Sequence, residues 1–344
     1  MTDQSIPTRL RSARLRRSSG YRTAVACLAG LLALAVVITL CVGQSVTPPG
    51  DVLRVLAGID VPGASFTVGQ LRLPRAVLAV LSGLCFGLGG AAFQVMLRNP
   101  LASPDIIGIN AGASAAAVFA IVTLSLGGPS VALMAVVAGL AVAGAIFGLS
   151  FRDGISGGRL ILVGIGVSSM LDSAIAFLLA QAPAWDLQQA MRWLTGSLNG
   201  ATLDQALWPA LALATCGSLL IGQTRNLEML KLGEDTAAAL GTHVARTRLI
   251  VTLSAVGVIS VATAVTGPIA FVAFLSGPIA ARMIGARGSV LIPAALVGAL
   301  LVLVGDFAGQ FLLPGRYPVG VVTGAIGAPY LIFLIIRANQ TGAT

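Results

Sequence analysis

Runs of some twenty residues with almost no charged side chain recur along this sequence, and they restrict the environment in which it can fold. Four of them are 23–43, 76–97, 106–126 and 160–180, and only the last contains a charged residue, Asp172. A helix needs about 20 apolar residues to cross the hydrocarbon core of a bilayer. Charged residues make up 10% of the chain, whereas a soluble domain carries about a quarter because its surface faces water. The sequence therefore predicts an all-α, polytopic membrane protein.

Ten membrane-spanning helices can be placed along the chain. Transmembrane β-strands are a poor alternative, because these runs are continuously apolar and do not alternate polar with apolar residues. Pro268, Gly277 and Pro278 interrupt the eighth run, so its position is the least constrained. The predicted spans are 23–43, 75–97, 105–126, 130–149, 160–180, 205–222, 248–266, 268–284, 290–312 and 319–337.

The distribution of Lys and Arg orients these spans. If the basic tail 1–22 and the short tail 338–344 lie in the cytoplasm, 16 of the 21 basic residues fall on the cytoplasmic side of the transmembrane domain 23–337. This is the bias expected of loops held at an anionic membrane face, so the net charge of +9 does not indicate a nucleic-acid partner. The basic residues left on the outer side are Arg54, Arg72, Arg75, Arg192 and Arg316.

The first apolar run and the outer loop in the middle of the chain also fit this topology. The first apolar run is long enough to span, and no small-residue cleavage site follows it, which favours a retained first helix over a signal peptide. The outer loop 181–204 predicts a short helix lying on the membrane surface, where an aromatic belt sits. All three tryptophans fall in or beside it: Trp185, Trp193 and Trp208.

Two apolar runs of the predicted bundle resemble each other. Arg75 opens a run that leads into NPLASPDIIG, and Arg248 opens another that leads into GPIAFVAFLSGPIA. In the predicted topology the two runs cross the membrane in opposite directions, which is the pattern of an inverted repeat. A chance echo in a Gly/Ala-rich membrane protein explains the similarity equally well at this stage.

Residues needed for catalysis are missing from the sequence. Its only lysine, Lys231, follows no glycine-rich loop, so the chain lacks a P-loop and any ATP must be bound by another chain. Its only histidine, His243, lies in a predicted cytoplasmic loop, so no Ser–His pair can form within the membrane. We therefore expect no enzyme activity, no cofactor and no metal site. Four cysteines lack metal-ligand spacing and indicate small buried hydrophobes: Cys27, Cys41, Cys85 and Cys216.

Asp172 supports an alternative function, that of an ion-coupled secondary transporter. Such transporters place acidic groups deep in the bilayer, and Asp172 lies in the middle of the fifth span, whereas Asp105 and Asp306 lie near span ends. No partner for Asp172 is evident, so a structural role, accepting hydrogen bonds from a neighbouring helix, is favoured. A membrane receptor or structural protein is also consistent with composition alone.

The cytoplasmic loop 226–248 carries the first positive signal of a function. Gly233 precedes two acidic residues that suit the first turn of a helix. An alanine-rich stretch continues that helix, Gly241 can end it, and Thr242 can cap a second one. The pattern predicts two short helices that present small apolar residues to a partner protein, with an ordered loop lacking a partner as the alternative.

The outer end of the second span carries the other signal, in the sequence QLRLPRAVLAVLSG. Arg72 and Arg75 flank Pro74 where the helix enters the membrane. Long basic side chains at a helix end commonly extend towards the interface without any further role. Two outer arginines at one helix end also form a fixed acceptor for acidic groups of a soluble partner.

Five motifs in these segments and beyond resemble one known family, the FecCD-type permeases. These are the membrane subunits of ABC importers for ferric siderophores, haem and vitamin B12. The resemblance runs from about residue 25 to residue 337, and the LEM–LGEDTAAALG and GSLNG stretches are most similar to the ferric catecholate (enterobactin-type) branch. The motifs are LRLPR at 71–75, RNPLASPDIIGINAGA at 98–113, LGEDTAAALG at 232–241, TGPIAFVAFLSGPIAARMIG at 266–285 and YPVGVVTGAIGAPYLIFLI at 317–335.

The resemblance implies a set of partners in the bacterial cytoplasmic (inner) membrane. Two permease subunits, as a homodimer or a heterodimer, would enclose a central pathway for the ferric siderophore within the membrane lipid. Cytoplasmic ABC ATPase subunits would dock on residues 230–246, and an extracytoplasmic siderophore-binding protein would dock on the outer face.

The resemblance also implies roles for individual residues. Arg72 and Arg75 match arginines that receive acidic residues of the binding protein, and Arg316 is the candidate to replace a third such arginine, because Gln310 occupies its position. Residues on the ATPase-coupling segment are Gly233, Glu234, Asp235, Leu240 and Gly241. Residues of the cytoplasmic gate are Asn99 and Leu101 in one layer, and Gly157 and Gly158 in a second layer that is hydroxyl-rich in the vitamin B12 member.

Overall fold

A computed structural model describes residues 6–102, 108–150 and 157–341, and within these ranges the chain is helical with no β-strand. The predicted all-α fold is therefore confirmed. The helices are α1 (Ile6–Cys41), α2 (Pro49–Leu56), α3 (Leu73–Leu97), α4 (Ile109–Val122), α5 (Pro129–Ser150), α6 (Gly157–Ala180), α7 (Ala184–Leu194), α8 (Leu203–Ala212), α9 (Ser218–Gly222), α10 (Thr224–Leu230), α11 (Glu234–Ala239), α12 (Val244–Thr266), α13 (Val272–Ile284), α14 (Leu291–Phe311) and α15 (Val319–Thr341).

Each of the ten predicted spans coincides with a helix or a continuous helical segment in the described residues. A π-helical segment, Ser65–Arg72, leads into α3, and a second one, Leu213–Gly217, joins α8 to α9. Two shorter apolar helices are Ile109–Val122 and Val319–Leu334. The segments long and apolar enough to cross a membrane are Arg16–Cys41, Ser65–Leu97, Pro129–Ser150, Ile161–Ala180, Leu203–Gly222, Val244–Thr266 and Leu291–Phe311.

The structure shifts some of the predicted boundaries. The eighth span begins at Val272 instead of residue 268, because Gly267 and Phe271 take positive φ angles of 71° and 63°. Gly277 and Pro278, expected to interrupt this span, lie inside α13 and are buried. At the chain ends, α1 already begins at Ile6 and α15 continues to Thr341, so helix extends into both expected tails. The surface helix expected in the loop 181–204 is α7.

The centre of the bundle is the contact between α3 and α14, where glycines bring two backbones together. A Cβ atom on Gly83 would lie 2.5 Å from the Cα of Ala299, and Gly87 and Gly298 face equally close backbone atoms. Small residues at a helix–helix contact are the usual means of close approach within membranes. Phe86 and Phe93 of α3 are completely enclosed beside this contact.

The two halves of the chain repeat the same packing arrangement. Helix α3 of the first half packs against α13 and α14 of the second half. Helix α12 of the second half packs in the same way against α4 and α5 of the first half. The fifth helix of each half is peripheral, since α6 lies on α4 and α5 while α15 lies on α14 and α13. The second span of each half, α3 or α12, thus packs on the third and fourth spans of the opposite half, as an inverted repeat requires.

The bundle has two ends, which we name by the residues that mark them. The Arg75 end carries Arg72, Arg75 and Arg316 around one cavity. The Glu234 end carries α11, whose Glu234 approaches Arg98 after α3 and Arg248 in α12. All five arginines predicted to share one side of the membrane lie at the Arg75 end, because α2 and α7 are also found there.

Candidate functional site

Arg75 lies at the centre of a polar cluster at the Arg75 end. Its guanidinium donates to both carboxylate oxygens of Asp306, over 2.6 Å and 2.7 Å, and to the side-chain oxygen of Asn199 over 2.8 Å. The Asp306 side chain is 4% exposed and the Arg75 side chain 18% exposed. Bidentate pairs of this kind are short and directional, so the cluster joins α3, α14 and the segment after α7.

Gln310, one turn beyond Asp306 on α14, completes the cluster. When its amide is turned so that the oxygen faces Arg75, that oxygen accepts hydrogen bonds from the Arg75 guanidinium. The position at which the family resemblance suggests a third arginine is therefore filled by a neutral acceptor. A cation in its place would face Arg75 directly and repel it.

Arg72 is buried, and its guanidinium is hydrogen-bonded to backbone carbonyls of its own chain. Its guanidinium donates to the carbonyl of Leu40 over 2.9 Å and to the carbonyl of Ser45 over 2.7 Å. A Cβ atom on Gly43 would lie 2.8 Å from the same guanidinium, so glycine is needed there for the close approach. Arg72 thus ties the end of α1 and the turn after it to the start of α3, and it does not present a free charge at the surface.

Arg316 is the exposed cation of this group. Within the part of the chain that the structure describes, its side chain makes no hydrogen bond or ion pair. A cavity of about 540 Å³ brings it together with Arg72 and Arg75. Of the three arginines expected to receive a binding protein, Arg316 is therefore the one whose guanidinium is not already held by the chain.

The segment 195–202 sets the position of Asn199. Its backbone is bonded to two other elements, from the Ser197 nitrogen to the Thr266 carbonyl over 2.7 Å and from the Gly320 nitrogen to the Gly196 carbonyl over 3.2 Å. A Cβ atom on Gly320 would overlap the Thr195 carbonyl oxygen. The GSLNG, TGP and YPVG sequences therefore meet at one crossing. These stretches are recognisable in the sequence as parts of motifs, but the sequence does not predict that they lie together beside Arg75.

At the Glu234 end, glycines set the boundaries of α11. Gly233 (φ 108°) precedes the helix and Gly241 (φ 87°) follows it. The Gly241 and Thr242 nitrogens donate to the carbonyls of Ala238 and Ala237, each over 2.9 Å, which is the Schellman arrangement that ends helices. The prediction that Thr242 caps a second helix is wrong, because Thr242 is buried in this arrangement and exposed His243 takes the cap position of α12.

Glu234 connects α11 to the rest of the bundle. Its carboxylate lies 2.5 Å from the Arg248 guanidinium and 3.9 Å from that of Arg98. Asp235 makes no such contact within the described residues. Leu232 and Leu240 are each 60% exposed on either side of this helix, so it presents apolar side chains while its first turn is held by arginines.

The residues expected to form a gate follow directly after α3. Arg98 takes a left-handed conformation, and the Asn99 side-chain oxygen then accepts from the Leu101 nitrogen over 2.9 Å. Arg98 and Asn99 border a cavity of about 350 Å³ between α3 and α13. Residues 103–107 of this motif lie outside the described residues.

The second expected gate layer lies at the start of α6, at the same end of the bundle. Gly157 is the first residue of α6 and Gly158 is exposed. Residues 151–156 before them lie outside the described residues. Both gate layers therefore remain predictions.

Asp172 lies on an open face of α6. Its side chain borders a cavity of about 490 Å³ with Asn110, Ser114 and Ser168. Within the described ranges it accepts no hydrogen bond, so the structural role favoured from sequence is not seen, and no second titratable group lines this cavity. The second candidate, Asp306, is paired with Arg75, and Asp105 lies outside the described residues.

The described residues contain no group of three His, Cys, Asp or Glu side chains that could hold a metal ion. The four cysteines are free. Cys41 and Cys85 are buried as expected, whereas Cys27 is exposed on α1.

Comparison with known proteins agrees with this architecture. The model of the FecCD transport family matches residues 31–337. The ferric enterobactin transport system permease protein FepG of Escherichia coli K12 is 39% identical over 293 residues, covering 84% of this chain and 88% of FepG. FepD of the same organism is 36% identical over 321 residues, covering 91% and 95%. A metal-chelate type ABC transporter solved in an inward-facing conformation is 26% identical with a TM-score of 0.82, covering 92% of this chain and all of that one. The chain belongs to the FecCD transport family.

Proposed function

We propose that this chain is the membrane-spanning permease subunit of an ABC importer that carries a ferric siderophore of the catecholate type into the cytoplasm. The observation that carries the proposal is the 39% identity with FepG, which extends over most of both chains. The chain supplies no P-loop of its own, so a separate ATPase provides the energy.

The two ends of the bundle support an orientation in the bacterial inner membrane. The Glu234 end carries most of the basic residues and faces the cytoplasm, as do both termini. There α11, with exposed Leu232 and Leu240, is the docking point for ABC ATPase subunits. The Arg75 end faces outward and receives the siderophore-binding protein, with Arg316 as its available cation.

A second permease subunit completes the pathway. Only 11% of the α6 span is buried within this chain, and a carboxylate such as Asp172 is costly when it faces lipid. We therefore place α6 against a protein or a water-filled path. FepG and FepD both carry the name of one ferric enterobactin system, which favours a related chain over an identical copy as the second subunit.

In the proposed mechanism, ATP binding brings the two ATPase subunits together and moves α11. Glu234 passes this movement to α12 through Arg248, and to the segment of Asn99 and Leu101 through Arg98. The pathway thus alternates between outward-open and inward-open states, whose populations the ATPase shifts. The ferric siderophore enters from the docked binding protein and leaves on the side of the Glu234 end.

Uptake of radiolabelled ferric siderophores into cells with and without this chain tests the proposal. We expect uptake of a catecholate complex to require the chain and to fall in a Glu234→Ala, Asp235→Ala double variant that still reaches the membrane. The matched variant is Asp172→Asn, since ion-coupled transport through Asp172 is the alternative function. Uptake that persists without an ATPase, needs a proton gradient and is lost in Asp172→Asn would replace the importer with that alternative.

A further inference from the structure

The basic start of α1 forms a cavity with the turn after α13. Arg17 donates to the carbonyl of Ala286 over 2.8 Å, which ties the basic N-terminal part of α1 to the segment Gly285–Arg287. A Cβ atom on Gly20 would lie 3.0 Å from the Cδ of Arg287, so glycine lets the Arg287 stem lie on α1. Two distant parts of the sequence thus bring their arginines together.

Three arginines line this open cavity, which has a volume of about 550 Å³. No acidic side chain is among its lining residues in the described part of the chain. The concentration of positive charge therefore has no internal counterion at the cavity itself, and it favours an anion. The lining residues are Arg16, Arg17, Gly20, Thr23, Ala24 and Arg287.

The same face of α1 becomes apolar as it enters the membrane. At 3.6 residues per turn, the face that carries Arg16, Gly20 and Thr23 continues into the membrane as an apolar stripe. This stripe consists of Leu31, Leu34 and Ile38, which are 53%, 55% and 42% exposed. Thr23 opens the first apolar run, so the cavity sits where the lipid headgroups meet the hydrocarbon.

We propose that this cavity binds the phosphate headgroup of an anionic phospholipid, whose acyl chain lies along the exposed face of α1. Basic pockets between transmembrane helices on the cytoplasmic side are suited to such headgroups. A soluble acidic protein or a free phosphate ion would satisfy the arginines but would leave the apolar stripe below them uncovered. The continuity of charge and apolar surface on one helix face is what selects a lipid.

Native mass spectrometry of the purified full chain tests this assignment, with phosphatidylglycerol, phosphatidylcholine and inorganic phosphate as probes. We expect preferential retention of phosphatidylglycerol and a loss of about thirtyfold in its affinity in Arg16→Gln, Arg287→Gln. That loss corresponds to about 2 kcal/mol for two basic residues at a membrane surface. Arg17 is left in place so that its bond to Ala286 keeps α1 attached.

Two further variants make the result specific. Arg54→Gln, Arg192→Gln removes the same charge from exposed sites at the Arg75 end and should retain the lipid. Arg16→Lys, Arg287→Lys keeps the charge and should retain most of the affinity, even if the glutamine variant folds poorly. Equal retention of both lipids, equal loss in the Arg54 and Arg192 control, or displacement of the lipid by inorganic phosphate would each overturn the proposal. The readout involves no transport and is therefore independent of the proposed function.

Discussion

Asp306 holds the guanidinium of Arg75 from the neighbouring helix through two hydrogen bonds, of 2.6 Å and 2.7 Å. The pair joins α3 to α14 at the Arg75 end, and Asn199 adds a third acceptor. Arg75 is therefore not an unoccupied cation waiting for a partner. An acidic residue of the proposed binding protein would have to share Arg75 with Asp306 or replace it.

The first prediction concerns the stability provided by this pair. Asp306→Asn should lower the thermal stability of the detergent-solubilised protein, since removing one partner of a buried pair leaves an uncompensated charge. Because Arg75 keeps Asn199 and is partly exposed, we expect a loss of about 2 kcal/mol, below the range for fully buried pairs. Asp51→Asn breaks the exposed pair with Arg54 and should cost less than about 1 kcal/mol. Equal shifts of the two melting temperatures would contradict this view.

The second prediction separates two arginines that look equivalent in the sequence. Arg72→Gln removes donors to the Leu40 and Ser45 carbonyls and should lower thermal stability, by about 1–3 kcal/mol for buried acceptors left unsatisfied. Arg316→Gln should leave the melting temperature unchanged but weaken docking of the binding protein, measured by surface plasmon resonance at low and high salt. An Arg316 variant that keeps the affinity and the salt dependence of the unmodified protein, or weakened docking with unchanged stability in the Arg72 variant, would argue against these assignments.

The spans were predictable because a helix that crosses the membrane needs a continuous apolar run, which is visible directly in the sequence. Every described span coincides with an apolar run, and even the short α13 was located to within a few residues. Its start was misplaced because the conformation of Phe271, with a positive φ angle, depends on tertiary packing. Local composition says little about such a turn.

The site was predictable only in part, because its contacts join distant parts of the chain. Arg75 and Asp306 were both noted, but 231 positions separate them and a single sequence does not show the pairing. Thr242 had a residue type suited to start a helix. Instead, the backbone nitrogen of Thr242 takes part in the Schellman arrangement that ends α11. Helices α11 and α12 follow each other too closely for Thr242 to cap α12 as well.

The third prediction distinguishes the contributions of two adjacent acidic residues in α11 to siderophore uptake. Glu234→Gln should reduce siderophore uptake about fivefold, the effect of losing about 1 kcal/mol, because of the two acidic residues it is Glu234 that contacts Arg248 and Arg98 in the described part of the chain. Asp235→Asn removes a charge from the same helical turn without breaking a contact and should have a smaller effect. Uptake and ATPase stimulation are measured together at matched protein levels. A larger defect in Asp235→Asn would show that direct contact with the ATPase matters more than anchoring of α11.

The last prediction tests whether the crossing at Gly320 positions Asn199. Gly320→Ala would push a methyl group into the Thr195 carbonyl, so segment 195–202 must move away, at a cost of about 1–3 kcal/mol for overpacking. Gly324→Ala, one turn further along α15, has its nearest neighbour at 3.9 Å, and it should be neutral or slightly stabilising because alanine favours helix over glycine. Thermal stability and protease cleavage within 195–202 report the two effects. Because displacement of Asn199 loosens Arg75, Gly320→Ala combined with Asp306→Asn should destabilise by less than the sum of the single changes. Strict additivity would mean that the crossing and the Arg75 cluster act independently.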